Sequence, residues 1–331
     1  MKSNLLIDGN YLLYKNVFTL YKMKRLYSDL WNALDNNINK YTSMNKWENV
    51  YIVSDSNKKS WRQQELTKYK GHRSRLEDID WDWVFEQYNL WKSHIQDKYN
   101  VLQADHIEGD DWIASLTIKG NKLNYNTVII TSDEDMPQLL NYKLNGKDSW
   151  INIQIIDHTG QEKVYLPIGW ELYLKEINDN QNDDVFNLDN SNEWRTFINK
   201  IINQWQCCDI NPYQRLFVKI IQGDKSDNIG SIYEKLTKTG KVQGIGKAGA
   251  EKIWQFYKEN YKDYFNTKEK SFINDIINCI ESIYKIELSE SKREQVELNI
   301  IQNIKLIELH YRHFPDWVVE KIVNKLSDCV I

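Results

Sequence analysis

The sequence predicts an α/β protein: a doubly wound, mostly parallel sheet followed by a helical region. Three observations predict it. Short β-branched apolar runs, NVYIVSD and NTVIITSD among them, end in polar turns, the pattern of strands buried on both faces. Longer stretches with helical spacing separate these runs, and strand–helix alternation favours parallel pairing. Beyond residue 193 the chain reads as mostly helical.

Residues 3–9, 49–55, 126–132 and 151–157 read as strands. Helical spacing runs from about Tyr11 to Thr42, from about Trp81 to Tyr99 and from Asp110 to Lys119. Residues 177–193, INDNQNDDVFNLDNSNE, read as a surface loop. Ser291 with Glu294 fits a capping box before a helix reaching about Tyr311, and Pro315 separates that helix from a last short one. No repeat or low-complexity linker intervenes. Two regions, 1–175 and 176–331, are therefore expected to pack as one compact body.

The 331 residues are 41% hydrophobic and 27% charged, enough for a substantial core. No apolar run approaches the roughly 20 residues that span a bilayer, and MKSNLLIDGN enters a strand at once. A cytoplasmic protein without membrane contact is expected, in the host cytoplasm if the gene is viral. Cys207, Cys208, Cys279 and Cys329 show no CxxC spacing, and no cysteine pair lies near His310 and His313. Free thiols are expected rather than disulfides or zinc. The net charge of −4 hides local asymmetry: Lys58–Arg75 carries seven Lys or Arg against one Glu, and Lys235–Lys258 six Lys against one Glu.

Nine carboxylates stand where predicted strands or turns end. They are Asp8, Asp55, Glu108, Asp110, Asp111, Asp133, Asp135, Asp224 and Asp227. In a doubly wound sheet the ligand site lies beyond the carboxyl ends of the strands, so the fold alone brings Asp8, Asp55 and Asp133 to one crevice. Glu108 and Asp111 are i, i+3 neighbours at a helix start, and Asp224 and Asp227 share that spacing. Taken singly, each fragment also reads as a turn or a solvated helix start. Together, so much negative charge costs several kcal/mol unless cations neutralise it. Oxygen-only ligands favour magnesium or manganese, and two such ions suit phosphodiester cleavage.

The ordered series IDGN, SDS…SWR…YKGHR, IEGDDWIA, ITSDEDMPQL and QGDKSDNI, followed by GIGKAGAEKI, resembles the 5′-nuclease (5′-3′ exonuclease, flap endonuclease) family. That family includes stand-alone bacteriophage enzymes such as the T-even phage ribonuclease H, and the nuclease domains of bacterial DNA polymerase I. The motifs run from residue 5 to about 255. The resemblance implies a PIN-like core with a helical arch at about 58–100, and a helix–hairpin–helix at about 220–258. It places Asp8, Asp55, Glu108, Asp110 and Asp133 at a first metal. It places Asp135, Asp224 and Asp227 at a second, with Asp110, Asp111 or Asp133 near enough to bridge or orient.

The resemblance further matches Lys70 and Arg73 to the basic pair that meets the scissile phosphate, and makes them catalytic together with Asp133. Arg62 and Arg75 become secondary DNA contacts, and Tyr69 a platform for an unpaired base; a solvated charge run and core packing are the other readings. Gly244, Gly246 and Lys247 form the turn that meets duplex phosphates, where potassium is expected. Two departures from the family pattern fall on this turn. Lys247-Ala248-Gly249-Ala250 stands where variable–Lys–Thr–Ala is usual, and SIYEKLTKTGKVQ is interposed before it.

The implied activity is that of a stand-alone, monomeric 5′ nuclease using two or more magnesium ions, with manganese able to substitute. Its expected partners are 5′-flap, nicked or gapped DNA and RNA·DNA hybrid, with a single-strand-binding protein or sliding clamp by family analogy. The implied task is RNA primer removal on the lagging strand. The rival readings are a PIN-like endoribonuclease and a catalytically inactive DNA-binding accessory protein.

Overall fold

The computed structural model describes residues 1–72, 76–158, 161–179, 189–236, 240–261 and 270–327. The strands are β1 (Ser3–Asp8), β2 (Asn49–Val53), β3 (Asn100–Leu102), β4 (Asn126–Ile130), β5 (Tyr142–Lys143), β6 (Trp150–His158), β7 (Gln161–Pro167), β8 (Gln206–Ile210), β9 (Glu234–Leu236) and β10 (Val242–Gly244). The helices are α1 (Gly9–Lys22), α2 (Leu26–Thr42), α3 (Trp61–Glu65), α4 (Trp81–Ile95), α5 (Gly109–Lys122), α6 (Trp170–Asp179), α7 (Asp189–Gln204), α8 (Pro212–Gln222), α9 (Lys247–Asn260), α10 (Lys270–Tyr284), α11 (Glu290–Ile307) and α12 (Asp316–Ser327).

The chain divides into two compact units. The first comprises Met1–Trp61, Arg75–Ile210 and Pro315–Ile331; the second comprises Arg62–Ser74 and Asn211–Phe314. The expected boundary at 175/176 falls within α6, inside the first unit. The sheet continues past that point, because β7 returns antiparallel to β6 and β8 pairs parallel to β7. The sheet order is β3-β2-β1-β4-β6-β7-β8, with β5 off the path against β6. β1 to β4 and β6 are mutually parallel, as the sequence predicts.

β1 lies inside the sheet, and all six of its residues are buried. Leu6 stands opposite Tyr51 on one side and Ile129 on the other. The predicted helix from Tyr11 to Thr42 is two helices, broken where Lys24 adopts φ +58°. α4 crosses from β2 to β3 and buries Trp81, Val84, Tyr88, Trp91 and Ile95 in the first core. About a third of the stretch expected as an arch, Trp81–Ile95, is therefore a core-packed crossover helix. α6 and α7 are fixed to β4 by a polar relay: Trp194 donates to the Tyr173 hydroxyl at 2.9 Å, and that hydroxyl donates to Asn126 Oδ1 at 2.8 Å. Of the predicted loop 177–193, residues 177–179 close α6 and 189–193 open α7; the rest lies outside the described residues.

In the second unit α8, α9, α10 and α11 enclose a core around Phe217. Its ring lies 5.1 Å from Trp254, 5.3 Å from Tyr257 and 6.2 Å from Phe272, centroid to centroid. Ser289, not Ser291, is the N-cap of α11, so the helix starts earlier than the capping-box pattern suggests. The interposed SIYEKLTKTGKVQ contributes to the two-stranded antiparallel pair β9–β10. Cys207, Cys208 and Cys279 are free thiols, and Cys329 lies outside the described residues. Among the described residues no helix is long and apolar enough to cross a membrane.

Candidate metal centre

β1 ends at Asp8, which caps α1. Its Oδ1 accepts from the backbone N–H of Asn10 and Tyr11, each at 3.0 Å, and its Oδ2 accepts from the Thr131 hydroxyl at 2.7 Å. Asp55 follows β2, and its Oδ1 accepts from the Gly109 N–H at the start of α5 at 2.7 Å. Asp133 follows β4; its N–H donates to Thr131 Oγ1 at 3.1 Å, and its Oδ1 accepts from the Asp135 N–H at 2.6 Å. Three parallel strand ends thus aim three carboxylates at one crevice, as the topology requires.

Their proximity shows in Asp8. Burial, opposed by its hydrogen bonds and reinforced by the charges of Asp55 and Asp133, pushes its carboxyl up to about 6. A cation in the crevice reverses that pressure, and the donors are all hard oxygens, which fits a divalent ion of the magnesium class. Glu108 is the N-cap of α5 and forms a capping box with Asp111. Asp110 lies half-buried in the first turn of the same helix. Asp111 is fully buried; its Oδ2 accepts from the Glu108 N–H at 3.0 Å and from Trp61 Nε1 at 2.9 Å. Its visible work is to fix the start of α5.

Four neutral residues that sequence reasoning passed over hold this array. Thr131 links Asp8 to the Asp133 backbone. Gln154 donates to the carbonyls of Thr131 at 3.1 Å and Asp133 at 2.9 Å. Gln103 donates to the Asp55 carbonyl at 2.7 Å, and Asn10 Oδ1 accepts from the Asp55 N–H at 3.4 Å. Neutral amides and hydroxyls carry no distinguishing signal without a register to place them.

Residues 3–166 match the family model of the 5′-3′ exonuclease N-terminal, resolvase-like domain. The chain belongs to the 5′-3′ exonuclease family. This exonuclease is 26% identical over 302 residues to a 5′-3′ exonuclease of Mycoplasmopsis pulmonis, covering 90% of this chain and 78% of the relative. It is 27% identical over 164 residues to a 5′-3′ exonuclease of Buchnera aphidicola subsp. Baizongia pistaciae, covering 49% of this chain and 53% of that protein. Its fold resembles the T5 D15 protein co-crystallized with metal ions, at a TM-score of 0.60, 16% identity and full coverage of both chains. It also resembles a bacteriophage T5 D15 flap endonuclease variant in a pseudo-enzyme-product complex with DNA and metal ions, at a TM-score of 0.57, 16% identity and 98% coverage of both. The protein is a nuclease of α/β architecture.

In the second unit of the exonuclease, Asp224 and Asp227 occupy the loop after α8. Asp224 is buried, which alone raises its carboxyl. An ion pair from Lys219 at 2.7 Å and hydrogen bonds from the Ser226 hydroxyl at 2.6 Å and N–H at 2.8 Å outweigh burial and hold it below the ordinary value. The segment 66–71 joins this loop: the Lys70 N–H donates to the Asp227 carbonyl at 2.9 Å, and Asn228 Nδ2 donates to the Lys68 carbonyl at 2.9 Å. Lys70 is thereby placed beside the second acidic pair.

Two predicted DNA contacts are corrected. Arg62 is buried; its Nε donates to the Leu306 carbonyl at 2.9 Å, and its guanidinium lies 5.8 Å from the Phe314 ring centroid. Tyr69 is buried in the second core, where no base can reach its faces. Arg73 and Arg75 lie outside the described residues. Gly244 closes β10, and a Cβ there would stand 2.7 Å from Ser231 Cβ, so only glycine fits. Gly246 is the N-cap of α9, and Lys247, exposed, is its first residue.

Gly223 ends α8 at φ +74°, ψ −173°, a backbone open almost only to glycine. A Cβ there would stand 2.3 Å from the Gly230 carbonyl oxygen. Gly223→Ala is expected to cost about 1–3 kcal/mol in urea unfolding. An unchanged midpoint would show that the Asp224 loop relaxes freely.

Proposed function

We propose that this exonuclease is a magnesium-dependent, structure-specific 5′ nuclease. On this reading it hydrolyses phosphodiester bonds at 5′ ends and 5′ flaps of DNA or RNA·DNA hybrid, and it removes RNA primers during lagging-strand synthesis. The observation that carries the reading is the convergence of Asp8, Asp55 and Asp133 at three strand ends, where burial, with a smaller push from the other two charges, raises the Asp8 carboxyl to about 6. The T5 relative's complex with DNA and metal ions supports DNA as the substrate.

The proposed roles are those the family resemblance implies. Asp8, Asp55, Glu108, Asp110 and Asp133 hold one divalent ion, manganese being an acceptable substitute. Asp135, Asp224 and Asp227 serve a second, with Asp111 orienting α5. Two such ions, when bound, supply a hydroxide near neutral pH and stabilise the leaving oxygen. Lys70 and Arg73 offset charge developing on the phosphoryl group, and no side chain need be the nucleophile. Arg75, Gly244, Gly246 and Lys247 hold the duplex backbone without reading sequence, with potassium at the turn before α9.

A 5′-labelled flap duplex tests the reading. Magnesium is expected to release the flap near its junction, while calcium or Asp133→Asn releases nothing. Intact flap with retained DNA binding under magnesium would mean an accessory protein. Cleavage of single-stranded RNA alone would mean a PIN-like endoribonuclease.

A further inference from the structure

Beside its acidic crevice the first unit holds a cavity of about 390 Å³, lined among others by Asn10, Tyr14, Asp55, Phe85, Lys92 and Gln103. Its size suits a small ligand, and its walls combine aromatic faces with a few polar groups. The unusual wall residue is Lys92. It is only 6% exposed, yet the group it donates to is neutral: Gln103 Oε1, at 2.6 Å. Its other neighbour is the Tyr88 ring, 4.7 Å from the ammonium to the centroid.

Burial depresses the Lys92 ammonium to about 8, and among the described residues no carboxylate counters it. Asp55 shares the cavity, but its Oδ1 is committed to the Gly109 N–H at 2.7 Å. Gln103 cannot turn away from Lys92, because its Nε2 donates to the Asp55 carbonyl at 2.7 Å and to Asn57 Oδ1 at 3.3 Å. The ammonium is thus held at the wall of the cavity with one of its three donors engaged. A buried cation without a counter-charge costs free energy that an arriving anion offsets.

We propose that this cavity is a subsite for a 5′-phosphorylated nucleotide, its phosphate on Lys92 and its base against Tyr14 and Phe85. The choice of a nucleotide rests on the nuclease reading; the choice of an anion rests on Lys92 alone. The nucleotide is either the end of a strand or a released monophosphate, and both present the same phosphate.

Calorimetry on the full chain with calcium present compares 2′-deoxyadenosine 5′-monophosphate with deoxyadenosine. The monophosphate is expected to bind about ten- to a hundredfold tighter, the worth of charge-assisted hydrogen bonds. Lys92→Met is expected to erase that gap without lowering Tm, and Lys92→Arg to keep most of it. Equal monophosphate affinity in the wild type and Lys92→Met would overturn the proposal. So would the absence of any phosphate preference in the wild type, a result that needs no variant to fold. Flap cleavage without a phosphate preference sinks the subsite alone, and a phosphate preference without cleavage sinks the nuclease reading alone. Displacement of the monophosphate by a 5′-phosphorylated oligonucleotide, but not by its 5′-hydroxyl counterpart, assigns the subsite to strand ends; no displacement assigns it to the released nucleotide.

Discussion

Asp8→Asn is expected to abolish metal-dependent cleavage while leaving the fold intact. The amide oxygen keeps the two N–H bonds that cap α1, and the Thr131 hydroxyl can accept from the new NH₂ where it now donates. What disappears is the charge. Losing a partner that merely supports a metal ligand already costs about 10–100-fold, so loss of the carboxylate itself is expected to exceed roughly a hundredfold in kcat. Retained cleavage within about tenfold of the wild type would show that Asp8 only caps the helix.

The same carboxyl sets a pH signature in chelated protein. Its folded value of about 6 lies above the ordinary 3.8. A group raised in this way stabilises the fold fully below the unfolded value, and the contribution fades as pH rises through the folded one. Chelated wild type is therefore expected to lose up to roughly 3 kcal/mol between about pH 4 and 6. Asp8→Asn flattens that part of the profile, as does a saturating divalent ion. Urea midpoints across this range read the effect, and identical profiles for wild type and variant would remove Asp8 as its source.

Asp111→Ala is expected to be the most destabilising single change at the site. It strands two buried donors, the Glu108 N–H and Trp61 Nε1, and removes the bond that begins α5. The cost is about 2–5 kcal/mol. Asp111→Asn keeps one acceptor and is expected to lose roughly half as much. A wild-type midpoint in urea for Asp111→Ala would show that α5 starts without this bond. Because Asp110 rides on the same first turn, the alanine variant is also expected to lose cleavage at temperatures where it remains folded.

The acidic end of the sheet was legible because strand ends announce themselves. An apolar β-branched run stops, an acidic residue follows, and parallel topology does the rest, as with Asp8, Asp55 and Asp133. The fates of Arg62 and Tyr69 were not legible. Both sit in a basic run that reads as a solvated face, and only the distant helices α8 to α11 turn them inward. β8, QCCDI, lacks the apolar signature of a central strand because it lies at the edge of the sheet. For the same reason the sequence predicts no strand beyond residue 175. A strand that pairs on one side only needs less apolar surface, so its sequence resembles a loop.

The second unit draws residues 62–74 from the midst of the first unit's sequence and the remainder from beyond residue 210. During synthesis at about 5–20 residues per second, that early segment emerges roughly seven seconds or more before its packing partners exist. Until then the Tyr69 ring has no core to enter. Completion of the second unit is consequently a late event of translation, and a ribosome stalled before residue 211 holds a chain whose Lys70 has not yet met Asp227.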